Sequence, residues 1–288
     1  MKTTLFIASA LSMVLGAMVS PVQAQTTPDC LLAINQGVIS PACAKMMGLG
    51  APASQSPPDN GGLPLQQTLH YQPVTGSVGT ASIVGLTLGM GLADATRAMK
   101  AYCKADPRIA NSFLNTTYKG VGVKTQFYPQ LLQCDVNGDQ LEVHVSPPVM
   151  GSVVTAIKRS VSFPADASPR FAELASDIRQ KYGLTLPAMV RDSDSETTAY
   201  VTATGTMATN ARFSYAQPMD SSSYDAPGEI AYLAVRASPV SSNPANVSTM
   251  FLTLEDLRAE RAINAEVLKQ LTASVDQKLA NSHVKPAL

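Results

Sequence analysis

Asp135, Asn137 and Asp139 place oxygen donors at alternate positions, as a calcium loop of the EF-hand type does at its start. The following residues depart from that chemistry. Gln140 stands where the turn glycine belongs, and Ser146 where a bidentate glutamate would close the shell. The flanks alternate like strands, so Asn137-Gly138 reads as the tip of a β-hairpin. Gly85, Gly89 and Gly91 sit between an apolar run and a helical pattern, where a phosphate loop would lie. Neither glycine fingerprint for phosphate is present, because Leu92-Ala93-Asp94 follows Gly91. These glycines fit a tight corner instead. Of the three histidines, His70, His144 and His283, only His144 falls in an expected strand. It alternates onto the polar face beside Glu142, where a solvated histidine is expected. Arg191 to Glu196 reads as a solvated acidic turn. A hydrolase would need dispersed groups such as Asp94, Asp177, Glu142 and His144 to converge. A small-ligand cavity would use Tyr200, Tyr215 and Tyr232. No catalytic, cofactor-binding or metal-binding residue is assigned, and no cofactor is expected.

Four cysteines remain for redox or metal chemistry: Cys30, Cys43, Cys103 and Cys134. They lack the close C-x-x-C pairs of a zinc site. An even count in an exported chain argues for two disulfides. Three pairings are open, and the compact one joins Cys30 to Cys43 and Cys103 to Cys134.

Export is expected from the first residues. Lys2 precedes an apolar run, Leu5 to Val19, and small residues Val22 and Ala24 precede a cut before Gln25. That is the grammar of a secretory signal over residues 1–24. The run is shorter than the ~20 residues of a membrane-spanning helix. No cysteine sits at the cut, so a lipid anchor is not expected, and no later segment reads as a span. The mature chain is expected in the periplasm or secreted. Lys plus Arg number 21 and Asp plus Glu 21, so the basic footprint of a nucleic-acid binder is missing.

The elements that would carry these residues follow from periodicity. Residues 25–48 read as a small helical segment stapled by a disulfide, and 49–80 as a Pro/Gly-rich linker. The body, 81–288, is expected as α+β, with two possible sub-units at 81–185 and 195–288. Ile83 to Met90 suggests a short strand. A helix to about Lys104 follows, with Leu92, Ala95, Met99 and Tyr102 as its stripe. Residues 108–125 read as a polar loop. Leu131–Val136, Gln140–Val145 and Val153–Phe163 form a meander. A helix from Ser168 to Tyr182, capped by Ser168 with Pro169 at its first position, covers it and stops at Gly183. Strands at Thr197–Thr204, Arg212–Ala216, Glu229–Ala237 and Val247–Thr253 make a second sheet. The last helix runs from about Leu254 to Asn281. The expected fold class is thus antiparallel sheets, each covered by helices.

The run Gly85-Leu-Thr-Leu-Gly-Met90, the helix after it and the Lys181-Tyr182-Gly183 helix end resemble a module of uncharacterised exported proteobacterial proteins. A more distant similarity is to the small outer-membrane lipoprotein of the β-barrel assembly machinery. The resemblance spans about residues 83–183 and implies interaction work in the envelope. The last helix offers a surface for it: Leu268, Leu271, Val275 and Leu279 recur at three- and four-residue steps. A non-enzymatic protein binding another envelope protein is the leading expectation. A cell-wall or polysaccharide hydrolase, or a small-ligand binder, is the alternative.

Overall fold

The computed structural model describes residues 61–189, 193–202, 207–214 and 229–282, all within the compact unit Leu49–Leu288. The expected signal peptide, the Cys30–Cys43 staple and the first part of the linker lie outside the described residues. The fold mixes helix and sheet. Its helices are α1 (Gly76–Thr80), α2 (Leu92–Cys103), α3 (Phe171–Tyr182) and α4 (Leu257–Ser282). Its strands are β1 (Arg108–Ser112), β2 (Asn115–Tyr118), β3 (Val121–Lys124), β4 (Tyr128–Val136), β5 (Asp139–Val145), β6 (Val154–Ser162), β7 (Asp194–Thr202), β8 (Met207–Ser214), β9 (Glu229–Val240) and β10 (Asn243–Asp256). No described helix is long and apolar enough to cross a membrane.

One antiparallel sheet of eight strands runs in the order β1-β4-β5-β6-β10-β9-β7-β8. The expected pair of sheets is therefore corrected to a single one. The join is β6 to β10, paired from Ser162–Thr249 to Ala156–Glu255. β10 also pairs with β9 along most of its length, so one long strand fuses the two sub-units expected from the sequence.

Alternation along β5 sets the two faces of the sheet. Leu141 and Val143 are fully buried and Val145 nearly so, while Glu142 and His144 turn the other way. The buried face packs against Ala95 and Met99 of α2, Ile178 of α3 and Val78 of α1. The observed stripes of α2 and α3 match their sequence periodicity. At the β4–β5 turn, Asn137 and Gly138 both have positive φ, 55° and 84°, as a type I′ hairpin requires.

Three local expectations change. Residues 83–90 form no strand. Val84 and Gly85, with φ of 47° and 85°, fold Ile83 back onto Leu86, and Gly89 turns the chain again at 76°. The helix expected from Ser168 begins at Phe171. The Ser168 hydroxyl donates to the Pro164 carbonyl at 3.0 Å, closing the preceding loop, and Pro169 accepts a bond from the Val247 amide. Residues 108–125 contain β1 and the small β2–β3 sheet. Ile109, Val121 and Val123 are too few apolar residues to give a strong periodic signal, yet enough for half-buried strands.

A disulfide joins Cys103, at the end of α2, to Cys134 in β4. Beside it Arg159 donates to both carboxylate oxygens of Asp139, at 3.0 and 2.6 Å, and to the Tyr102 hydroxyl at 2.9 Å. Tyr102 in turn donates to Asp139. Burial, then the hydrogen bond to Asp139, raises the Tyr102 phenol above its ordinary pKa. This cluster and the disulfide clamp one end of α2 to the sheet.

Candidate functional site

The groups a hydrolase would need are divided by the sheet. Glu142 and His144 lie on the face away from α1, α2 and α3. Asp94 and Asp177 are exposed on α2 and α3, which pack on the buried face. Asp94 is engaged by Arg97 at 2.8 Å on the helix surface. Asp135 and Asp139 are engaged by different partners. Asp135 accepts from the Gly138 amide and Gln140, whereas Asp139 belongs to the Arg159 clamp. No cluster of His, Cys, Asp or Glu among the described residues could hold a metal ion.

The face opposite α1, α2 and α3 carries a polar row. Gln133, Glu142 and Lys158 stand side by side across β4, β5 and β6, and Glu142 accepts from the Gln133 amide at 2.8 Å. The adjacent row is Leu131, His144, Ala156, Glu255, Tyr232 and Tyr200. Tyr232 donates to Glu255 at 2.7 Å. His144 is half-buried rather than solvated, because Leu131 and Ala156 flank it. Its Nε2 is buried and makes no hydrogen bond among the described residues. Burial, then the Lys158 charge, lowers the imidazole pKa to about 4, with Glu142 opposing. Tyr200 and Tyr232 are cross-strand neighbours, whereas Tyr215 lies outside the described residues.

The expected acidic turn at 191–196 is corrected. Asp194 to Glu196 are buried in β7, with Arg236 of β9 3.6 Å from Asp194 and stacked on Phe251 at 4.5 Å. Strand pairing, which places Glu196 opposite Arg236, is what draws these charges inside. Arg191 and Asp192 lie outside the described residues.

The second apolar cluster of the molecule is built on α4. Ala259, Ile263, Val267 and Leu271 recur every four residues and pack on Val149 and Met150. Val275 continues the row and is fully buried, so the sequence-derived surface loses two members, Leu271 and Val275, to the protein's own interior. Leu279 is half-buried, and Leu268, 51% exposed, faces out. The cluster's roof comes from Leu114, just before β2, from Val123 of β3, and from residues 61–72, expected as linker.

Those residues form an extended arm on the α4 surface. The Gln66 amide donates to Gln270 Oε1, and Gln270 Nε2 donates back to the Gln66 carbonyl, both at 2.9 Å. Thr68 donates to Glu266 at 2.8 Å, and the Thr68 and Leu69 amides both reach the Val149 carbonyl. Leu63 bridges alongside Thr125, beyond β3, in parallel. A side chain at Gly62 would meet the Thr125 carbonyl at 2.2 Å, so the backbone approach there requires glycine. Hydrogen bonds from Thr68, Lys269 and Gln270 hold the Glu266 carboxyl below its ordinary pKa. Leu63, Leu65 and Leu69 supply the apolar contacts. None of this was legible in the sequence, apart from Glu266 and Gln270 sharing a helix face at four-residue spacing.

The fold and this surface define a mixed helix-and-sheet protein whose last helix carries an extended arm of the same chain. No family model matches the chain, nor does any curated protein or solved structure.

Proposed function

We propose that this is an exported, non-enzymatic protein, periplasmic or secreted, that binds another protein of the cell envelope. One observation carries the reading: α4 supports an apolar cluster separate from the main core, roofed in part by an extended arm and a two-stranded hairpin. A helix whose apolar stripe lies under thin, surface-lying chain suits helix-groove recognition. The export grammar and the resemblance of residues 83–183 to envelope proteins supply the compartment. The hydrolase alternative has less support, because Glu142 and His144 lie across the sheet from Asp94 and Asp177.

The test is site-specific photocrosslinking in cells. A crosslinker at exposed Leu268, with exposed Glu173 on α3 as the reference position, should yield one reproducible envelope protein from position 268 alone. Equal, diffuse products from both positions would remove the reading.

A further inference from the structure

We propose that the α4 groove is a peptide-recognition site for an extended, leucine-bearing segment of the partner, and that residues 61–70 are its resident competitor. The proposal rests on the partner-binding reading and names the chemistry of that partner. The arm itself shows what the groove accepts. Gln270 reads mainly main chain: its amide both donates to and accepts from the backbone of Gln66 at 2.9 Å, and its one side-chain contact on the arm is the longer bond to the Thr68 hydroxyl at 3.3 Å. Such a two-way bond selects an extended segment whatever its residue at that point. The Val149 carbonyl takes two further main-chain amides. Selectivity comes from leucines: Leu65 and Leu69 rest on the cluster of Val149, Ile263, Val267 and Leu271. Main-chain bonds for affinity and pockets for spaced side chains for specificity are the division of labour in extended-peptide recognition.

The arm is suited to leave. None of residues 61–70 is fully buried, whereas the chain is anchored from Tyr71 onward: Tyr71 packs on both apolar clusters, Arg258 donates to the Gln72 carbonyl at 2.8 Å, and Val74 and Val78 lie in the sheet's core. Its hold is therefore a rim contact on one side of a firm anchor. A tether of this length acts as a competitor at millimolar effective concentration, so the intact chain would show an outside peptide much weakened affinity.

The experiment uses the full mature chain and a fluorescent peptide of residues 61–70. Leu65→Ser with Leu69→Ser should free the groove, so that this variant binds the peptide at least about tenfold tighter than the unaltered chain does. Adding Gln270→Ala should cut that binding about tenfold or more, since two main-chain bonds are lost. A double variant that keeps its near-ultraviolet dichroism yet binds no peptide overturns the proposal. A double variant that fails to fold also overturns it, because the arm is then core and not competitor. Concentration-dependent dimerisation of the unaltered chain, abolished by the double variant, would reassign the groove to the arm of a second copy. Peptide binding without any envelope crosslink from position 268 would keep the site and remove the envelope reading.

Discussion

His144 should make the protein lose stability between pH 7 and pH 5. Its imidazole is neutral in the fold, with a pKa of about 4 against an ordinary 6.5. A base whose folded pKa is depressed binds more protons when unfolded, so stability rises with pH between the two values. The contribution is complete above about pH 6.5 and is lost as the pH falls toward 4. Linkage between these values gives a loss of about 2 kcal/mol from pH 7 to pH 5 for this one group. That corresponds to a midpoint shift of about 4–8 °C for a body of this size. The charged groups that face it are Lys158, which resists protonation, and Glu142, which favours it. His144→Leu places an apolar side chain between Leu131 and Ala156 and removes the titration. Thermal or urea unfolding of both proteins at pH 7 and pH 5 reads the difference directly. The unaltered chain should lose about 2 kcal/mol more than the variant over that interval. Equal losses in the two proteins would refute the reasoning, since they would show that the imidazole is free to charge in the fold.

Four further outcomes follow from backbone geometry, the disulfide and packing. Gly89→Ala should cost about 2–5 kcal/mol in chemical denaturation, because a Cβ there meets the Tyr71 ring at 2.4 Å as well as a positive φ. Gly85→Ala, with φ +85° and open space, should cost only about 1–2 kcal/mol. Replacing Cys103 and Cys134 together by Ser should lower stability by about 3–4 kcal/mol on the loop-entropy account for a 31-residue separation, measured by urea unfolding against the oxidised chain. Leu271→Ala should cost about 2–5 kcal/mol and Leu268→Ala less than about 0.5 kcal/mol in the same assay. A loss at Leu268 as large as that at Leu271 would contradict their placement at 51% and 2% exposure.

Much of the fold was legible where a local rule is strong. Asn137-Gly138 placed the β4–β5 turn, since few residue pairs adopt two consecutive positive φ values. The α2 and α3 stripes followed from 3.6-residue periodicity, and Gly183 marked the end of α3. Legibility failed where a distant partner decides the outcome. Ser168 had the chemistry of a helix cap, but the Pro164 carbonyl took its hydroxyl. Asp194 and Glu196 had the composition of a solvated turn until pairing with β9 set them beside and opposite Arg236. The linker reading of residues 61–80 failed because Pro and Gly lower local order without preventing an extended segment from docking on a surface.

By itself the sequence determined the mixed helix-and-sheet class, the hairpin, the helix stripes and a formal net charge of zero. These are properties of neighbouring residues, set by backbone dihedrals and by the period of each element. Only the tertiary structure decided that the strands form one sheet, that Glu142 and His144 lie across that sheet from Asp94 and Asp177, and that Gln270 grips Gln66, 204 residues away in the chain. Contacts at such separation leave no periodic trace, because neither residue's type is dictated by its own neighbours. They exist only once the sheet has closed and α4 has been laid beside the arm.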